Sequence, residues 1–258
     1  MHADISAQVT RYYDLDPRPP ADIDFYLGLL GSSGATVLEL GCGSGRVLLP
    51  LSRRCAYIRG IDRSTEMLAV CLDQLRNAGI PPTRAEVTVG DISAFELGCV
   101  FDLIIAPYRV LQNLEVDSQL TGLLSCVRRH LSPRGTCVLN AFRPKLAEAA
   151  LRQTWITDEE KACWDVAIDG GRVTCHERRT AIHPERLVLY PELVFRRYED
   201  GALRDERSIR IPMRCHYPDE FCALITEQGF RIVDRWGGYQ GEPYGVGPEL
   251  VVQFALAS

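Results

Sequence analysis

Several features that would place a protein in a membrane or on a nucleic acid are missing from this sequence of 258 residues. No uninterrupted apolar run reaches the length of about 20 residues that a membrane-spanning helix needs. Lys and Arg number 29 against 34 Asp and Glu, and the net charge of −5 provides no basic footprint for nucleic acid. We therefore expect neither a membrane nor a nucleic acid among the partners of this chain.

A signal peptide and the cysteine spacing of zinc sites are missing as well. The opening Met1-His2-Ala3-Asp4 has neither the basic nor the apolar region of a signal peptide. Ten cysteines are present, yet no two of them have the C-x-x-C spacing of many zinc and redox sites. Several lie in apolar segments, where a free thiol behaves as a small hydrophobic group. The expectation is a cytoplasmic protein with reduced structural thiols and no metal site.

A glycine-rich turn stands between a predicted strand and a predicted helix. Val37, Leu38 and Leu40 form an apolar run of the kind found in a parallel strand that is covered on both faces. Gly41, Gly43 and Gly45 follow, and apolar residues at helical spacing begin at Val47. Glycines at this place let a ligand approach the backbone, so the segment predicts a nucleotide-like ligand at a helix N-terminus.

The pattern G-x-G-x-x-G that binds a nicotinamide dinucleotide is absent, because Arg46 occupies the place of its third glycine. Glu39, just before the turn, is poorly placed for a pyrophosphate and better placed for a cationic or amine-bearing ligand. A nicotinamide-dependent oxidoreductase is therefore the alternative enzyme class. A catalytically inactive partner protein that still binds the cofactor is a second alternative, since the turn predicts binding rather than turnover.

Two more acids end the next predicted strands. Asp62 ends the strand 57–62, where a carboxylate can accept hydrogen bonds from both ribose hydroxyls. Asp91 ends the strand 85–91, where it could accept from an adenine amino group. Together with Glu39, these acids lie at the carboxyl ends of three strands and define one crevice.

The order of predicted elements changes near residue 155. Up to residue 142, strands alternate with helices, which requires right-handed crossovers and a mainly parallel sheet. Hairpin turns at Asp169-Gly170-Gly171 and Glu199-Asp200-Gly201 then indicate an antiparallel block. We expect one domain from 1–155 and 216–258, with an antiparallel β insert at 156–215 that forms a substrate lid or the surface of a homodimer.

Five segments lie in a recognisable order within residues 35–142. They are residues 37–46 (V-L-E-L-G-C-G-S-G-R), 60–68, 90–92, 101–104 and 131–135. Together they resemble the class I S-adenosylmethionine-dependent methyltransferases of the small-molecule type. The resemblance implies a doubly wound, Rossmann-like α/β sheet of seven strands with the last strand antiparallel. It also implies S-adenosyl-L-methionine as cofactor and methyl transfer to an N or O nucleophile of a small molecule.

The resemblance also implies roles for individual residues. In that family the glycine turn lies against the methionine moiety of the cofactor, and Asp62 would hold the ribose. Tyr13 resembles an N-terminal tyrosine that covers the cofactor. The whole set expected at the cofactor is Tyr13, Glu39, Gly41, Gly43, Gly45, Arg46, Asp62, Arg63, Met67, Asp91, Ile92 and Pro107.

The exit of the fourth predicted strand, residues 106–114, is where cofactor and acceptor are expected to meet. Ala106 departs from the N/D-P-P-Y pattern of enzymes that methylate amino groups of nucleic acids and proteins, which argues against base or glutamine methylation of that type. His216, Tyr108 and Arg109 are the catalytic candidates, although a lone histidine is often structural and Arg109 could belong to a solvated helix start. The sequence does not identify the acceptor.

Overall fold

The computed structural model describes residues 7–17, 22–31 and 34–257. The helices are α1 Ala7–Tyr13, α2 Ile23–Gly28, α3 Leu48–Ser52, α4 Thr65–Asn77, α5 Asp117–His130, α6 Glu148–Thr154 and α7 Pro218–Glu227, with a 3₁₀ helix at Val110–Asn113. The strands are β1 Thr36–Leu40, β2 Tyr57–Asp62, β3 Ala85–Val89, β4 Phe101–Ala106, β5 Leu131–Phe142, β6 Thr157–Ile168, β7 Gly171–His183, β8 Val188–Glu199, β9 Ala202–Arg210, β10 Met213–Arg214, β11 Phe230–Trp236 and β12 Glu249–Leu256.

The chain divides into two units. The larger one contains Pro20–Pro144 and Cys215–Ser258, and the smaller one contains Met1–Pro19 and Lys145–Arg214. The boundary expected from the sequence placed 1–155 in the larger unit, whereas α1 and α6 group with the antiparallel block. For α1 the reason is packing, because Tyr12 is buried in the core of the smaller unit.

A seven-stranded sheet forms the centre of the larger unit. Its order is β11-β12-β5-β4-β1-β2-β3, and the run from β5 to β3 is parallel throughout. β12 is antiparallel to both of its neighbours. This confirms the predicted doubly wound, mainly parallel sheet with an antiparallel last strand.

Apolar side chains cover both faces of this sheet. Leu38 and Ile104 belong to one buried cluster, and Val37, Leu103 and Ile105 belong to a second cluster. Neighbouring residues of one strand point to opposite faces, so a strand that is buried on both sides needs an unbroken apolar run. The carboxyl ends of β1, β2, β3, β4 and β5 share one edge, which we call the carboxyl edge.

Local signals explain the ends of several elements. The Ser64 hydroxyl accepts a hydrogen bond from the Met67 amide at 3.1 Å and caps α4, as its position before the helix predicts. β5 begins at Leu131 and ends at Phe142. A register shift between β4 and β5 accommodates residues 132–135, which explains how Pro133 is tolerated there.

The smaller unit contains a five-stranded antiparallel sheet formed by β6, β7, β8, β9 and β10. β6 and β7 form the predicted hairpin around Gly170, and β8 is one continuous strand of 12 residues. Helix α1 contributes Tyr12 to the core of this unit, beside Cys175 and Phe195. The Tyr12 hydroxyl donates a hydrogen bond to Asp205 Oδ2 at 2.8 Å.

The alternating charges of the smaller unit form ion pairs across its strands. Glu160 accepts hydrogen bonds from Arg178 and Arg196, and Arg196 Nε also donates to Glu206 at 2.6 Å. The Arg196 guanidinium is the main cause that lowers the pKa of Glu160 to about 2. The Arg196 side chain is only 15% exposed, so this charge is largely removed from solvent.

The helices and the cysteines can be compared with the expectations for membrane spans and disulfides. Within residues 7–17, 22–31 and 34–257, no helix is both long and apolar enough to cross a membrane. All ten cysteines are free thiols, and most of them are buried.

Candidate active site

The glycine turn after β1 has left-handed backbone at each of its three motif glycines. Gly41, Gly43 and Gly45 have φ of 70°, 53° and 92°. A Cβ at Gly41 would lie 2.2 Å from Val110 Cγ2, and one at Gly45 would lie 2.6 Å from Cys71 Sγ. Gly43 has open space at the same place. Two glycines are thus required by packing, and the third leaves room for a ligand against the turn.

Asp62 connects the end of β2 to this turn. Its Oδ2 accepts a hydrogen bond from the Gly43 amide at 2.9 Å, and its Oδ1 accepts one from the Ser64 amide at 2.9 Å. A carboxylate oxygen can accept about two hydrogen bonds, so each oxygen keeps capacity for a ligand hydroxyl. The geometry fits the ribose role that the resemblance implies.

Glu39 is a buried acid in the strand just before the turn. It is 2% exposed, and its Oε2 has no hydrogen-bond partner among the described residues. Burial raises the pKa of Glu39 well above its ordinary value, and only the nearby Arg46 opposes this shift. An unpaired buried carboxyl group at this place is suited to a cationic or amine-bearing ligand.

Arg46 is held by a buried aspartate. Its guanidinium forms a bidentate pair with Asp22, with both N–O distances at 2.7 Å, and Asp22 is fully buried. The same guanidinium lies 5.3 Å from the centre of the Tyr108 ring, within cation–π range. Arg46 therefore joins the N-terminal part of the larger unit to the exit of β4, a structural role that the cofactor prediction did not include.

Residues predicted to surround the adenosine lie beyond β2 and β3. Met67 is buried in the first turn of α4, while Arg63 is exposed just before it. Asp91 lies two residues after the end of β3, and its Oδ1 accepts from Ser93 N and Ser93 Oγ, both at 2.7 Å. Ile92 is buried beside it. These four residues thus follow the carboxyl ends of β2 and β3.

The exit of β4 turns sharply after Pro107, which is buried. Tyr108 and Arg109 have φ of 54° and 66°, a conformation that L-residues rarely adopt. The Arg109 amide donates to Asn140 Oδ1 at 2.9 Å, and the Arg109 guanidinium forms a bidentate pair with Glu249. Asn140 also donates to Glu249 Oε2 at 2.9 Å. We call these three residues the Arg109–Asn140–Glu249 cluster.

Two tyrosines lie near this cluster. Tyr26 of α2 is fully buried, and its ring centre lies 6.1 Å from that of Tyr239 in the loop between β11 and β12. Burial raises the pKa of both hydroxyls, and the charges of Glu249 and Asp22 raise the pKa of Tyr239 further. Both phenols therefore stay protonated at neutral pH.

Two further candidates are packed against hydrophobic residues. His216 is buried, and its ring centre lies 5.6 Å from that of Phe221 in the core of the larger unit. Tyr13 is partly buried against the core of the smaller unit, next to Tyr12. The role of Tyr13 over the cofactor and that of His216 as a base stay predictions.

Sequence reasoning did not include four residues of this site: Asp22, Tyr26, Asn140 and Glu249. Two of them had a weak signal. Asn140 is the one amide in the otherwise apolar run 137–142, and Glu249 is an acid that opens the apolar strand β12. A polar residue in a buried strand needs a partner, but the sequence alone does not indicate which one.

The residues present fit S-adenosylmethionine. The open space at Gly43 provides a cradle that a side chain would fill, the unpaired Glu39 oxygen suits its ammonium group, and Asp62 has capacity for its ribose hydroxyls. No group of His, Cys, Asp and Glu residues able to hold a metal ion occurs in the described part of the chain.

Comparisons with known proteins agree with this chemistry. Residues 37–135 match the family described as a methyltransferase domain. The chain is 26% identical over 148 residues to dTDP-3-amino-3,6-dideoxy-alpha-D-glucopyranose N,N-dimethyltransferase of Streptomyces fradiae, covering 54% of this chain and 55% of that protein. It is 26% identical over 132 residues to ubiquinone biosynthesis O-methyltransferase of Paraburkholderia xenovorans, covering 51% and 53%. The chain thus spans about half the length of these relatives.

The fold is shared along nearly the whole chain with a solved structure. The CcbJ methyltransferase from Streptomyces caelestis superposes with a TM-score of 0.77 at 20% identity, and the match covers 99% of both chains. The sheet order, the glycine turn and the matched methyltransferase domain agree with one another. Residues 37–135 thus match a methyltransferase domain, the whole chain has the fold of a known methyltransferase, and the residues at its carboxyl edge fit S-adenosylmethionine.

Proposed function

We propose that this chain transfers a methyl group from S-adenosylmethionine to a small polar acceptor, with an amino nitrogen favoured over a hydroxyl oxygen. The observation that carries the proposal is the polar, charged exit of β4. Tyr108 is 40% exposed there, and the Arg109–Asn140–Glu249 cluster lies directly behind it. An apolar acceptor would remove the exposed parts of Tyr108 and Arg109 from water without offering them hydrogen bonds, which costs binding free energy.

The names of the relatives offer two acceptor classes. The Streptomyces fradiae protein is named for N,N-dimethylation of a nucleotide-linked amino sugar, and the Paraburkholderia protein for O-methylation in ubiquinone biosynthesis. The charged surroundings of Arg109 favour the polar amino sugar. The nicotinamide alternative has no support, since Arg46 pairs with Asp22 and the matched family is one of methyltransferases.

The mechanism requires mainly orientation and exclusion of water. When bound, S-adenosylmethionine supplies a methyl group on a cationic leaving group, so the acceptor can attack directly. Glu39, the glycine turn and Asp62 would hold the donor, and the exit of β4 would align the acceptor with it. Each of these residues belongs to the larger unit.

The site also determines whether a base can remove a proton from the acceptor. Glu249 has both oxygens engaged, and the Tyr239 hydroxyl has a raised pKa, so neither is suited to act as a base at neutral pH. An amine in equilibrium with its neutral form needs no base, whereas a sugar hydroxyl would. This difference supports the choice of nitrogen.

The test has a binding step and a transfer step. Calorimetry should show that wild type binds S-adenosylmethionine and that Glu39→Gln binds it about tenfold more weakly, because the neutral amide attracts the ammonium less. Glu86→Gln, on strand β3 of the same sheet and paired with Arg59, is the matched control with unchanged affinity.

The transfer step compares two acceptors, dTDP-3-amino-3,6-dideoxyglucose and a catechol. We expect mass spectrometry to detect methylated amino sugar. Methylation of the catechol alone would contradict the preference for nitrogen. Tight cofactor binding with no turnover on a wider acceptor panel would instead favour the inactive partner protein.

We also propose a role for the antiparallel unit, a homodimer and a cellular location. The antiparallel unit would serve as a substrate lid or as the surface of a homodimer, supported by its position in the sequence between β5 and α7. A cytoplasmic location is supported by the free thiols. Sedimentation equilibrium tests the dimer, since a monomer at micromolar concentration would contradict it.

A further inference from the structure

The exit of β4 contains two consecutive residues in an unfavourable conformation. Tyr108 and Arg109 both have left-handed backbone, and neither is a glycine. Such residues persist only where the surrounding structure fixes them, and they concentrate at functional sites. The question is which contacts fix this pair.

One set of contacts comes from β5 and β12. The side-chain oxygen of Asn140, a fully buried residue, accepts the Arg109 amide proton. Glu249 receives the Arg109 guanidinium on both oxygens and the Asn140 amide on Oε2. The Asn140 side chain thus holds the backbone of Arg109, and the Glu249 carboxylate holds the side chain of Arg109.

A second set comes from the glycine turn. The Tyr108 ring lies over Arg46, and Val110 packs so closely against Gly41 that no Cβ would fit between them. The Tyr108–Arg109 pair is therefore fixed between the cofactor turn on one side and β12 on the other. A shift of Arg109 would move Tyr108 relative to the turn.

We propose that Asn140 and Glu249 are positioning residues of the acceptor site, which hold Tyr108 and Arg109 in the conformation that aligns the acceptor. Their polar groups are engaged by Arg109 and by each other, so they act through Arg109. The inference rests on the proposed function, in which the exit of β4 receives the acceptor.

The chain provides a matched control on the same pair of strands. Gln253 Nε2 donates to Thr136 Oγ1 at 3.0 Å and joins β12 to β5 away from the carboxyl edge. Gln253→Ala therefore removes one side-chain bridge between these strands without touching Arg109. The test set is Asn140→Ala, Glu249→Ala, Glu249→Gln and Gln253→Ala.

Hydrogen exchange of the Arg109 amide is the first measurement, and it needs no acceptor. We expect faster exchange in Asn140→Ala and Glu249→Ala than in wild type, and no change in Gln253→Ala.

In the second measurement, on dTDP-3-amino-3,6-dideoxyglucose, kcat should fall about 100-fold in Glu249→Ala, because misalignment near the reacting atoms has effects of that size. Glu249→Gln keeps one acceptor oxygen and should recover part of kcat, while calorimetry should show unchanged affinity for S-adenosylmethionine.

The outcomes separate the two proposals. Wild-type exchange at Arg109 in both alanine variants would overturn the inference, as would an equal loss of kcat in Gln253→Ala. Faster exchange with unchanged kcat would overturn it too. A wild type that binds no S-adenosylmethionine or methylates no probe contradicts the proposed function and with it the acceptor role, and the exchange measurement then decides only whether Asn140 and Glu249 hold Arg109. Glu249→Gln keeps the test valid if Glu249→Ala does not fold.

Discussion

Asp62 and Gly43 are joined by a hydrogen bond of 2.9 Å from the glycine amide to the carboxylate. The bond fixes the turn after β1 to the end of β2, so two strand ends form one rigid surface. A second aspartate joins two strands of the same sheet at their amino ends. There Asp102, at the start of β4, accepts hydrogen bonds from Thr36 N and Thr36 Oγ1, both at 3.0 Å.

The first prediction compares these two aspartates. Asp62→Ala should abolish measurable binding of S-adenosylmethionine, because the turn loses its anchor and the ribose loses its acceptor. Asp102→Ala should lower the free energy of unfolding by about 1 kcal/mol through its lost hydrogen bonds and leave cofactor affinity unchanged. Calorimetry and urea unfolding of both variants check this. Unchanged affinity in a folded Asp62→Ala protein would contradict the cofactor assignment.

The second prediction concerns two left-handed glycines with open space around them. Gly43 lies in the cofactor turn, and Gly79, with φ of 69°, follows α4. Alanine at either position should lower the free energy of unfolding by about 1 kcal/mol, since left-handed backbone disfavours a Cβ. Only Gly43→Ala should weaken binding of S-adenosylmethionine, and Gly43→Val should abolish it. Equal weakening in Gly79→Ala would show that the effect is general destabilisation.

The third prediction addresses the buried pair of Arg46 and Asp22. Arg46→Met leaves a fully buried carboxylate without its partner and should lower the free energy of unfolding by about 3 kcal/mol. The double variant Arg46→Met with Asp22→Leu should recover most of that loss, because no unpaired charge remains. Urea unfolding of the double-mutant cycle measures the coupling. Additive effects of the two substitutions would contradict a direct structural pair.

The fourth prediction is a pH dependence that originates in the smaller unit. Arg196 and Arg178 hold the pKa of Glu160 at about 2 in the folded protein, below its unfolded value. A lowered folded pKa stabilises the protein above the unfolded pKa, and this stabilisation is lost as pH falls from about 5 towards 2. Urea unfolding at several pH values should show a shallower loss in Glu160→Gln. Parallel curves for wild type and variant would contradict the shift.

The fifth prediction separates neighbouring tyrosines of α1. Tyr12→Phe loses the hydrogen bond to Asp205 and should lower the free energy of unfolding by about 1 kcal/mol, with little effect on cofactor affinity. Tyr13→Ala should weaken binding of S-adenosylmethionine if Tyr13 covers the cofactor, as the resemblance implies. Calorimetry on both variants decides. A Tyr13→Ala protein with wild-type affinity would remove Tyr13 from the site.

Most of the sheet could be predicted because its rules are local. Apolar runs identified β1, β2 and β4, and Ser64 marked the start of α4. The boundary of the smaller unit was less accessible to sequence analysis, because α1 joins it through contacts such as Tyr12 with Asp205, which are 193 positions apart. Periodicity carries no information about such distant partners.

The candidate site divides in the same way. Glu39, Gly43 and Asp62 lie in one continuous stretch of the chain, so spacing alone indicated their shared edge. Asn140 and Glu249 meet Arg109 only because β12 runs backwards beside β5, which brings the first residue of β12 to the carboxyl edge. Strand direction is set by the tertiary fold, and no residue pattern in β12 encodes it.

The place of β12 in the sheet also affects how the protein folds during synthesis. β12 is the last of the seven strands to be translated, yet it lies inside the sheet between β11 and β5. While residues 249–256 are still in the ribosome, both neighbouring strands have open edges, and unpaired strand edges favour aggregation. Completion of the sheet and delivery of Glu249 to Arg109 are then the same late event.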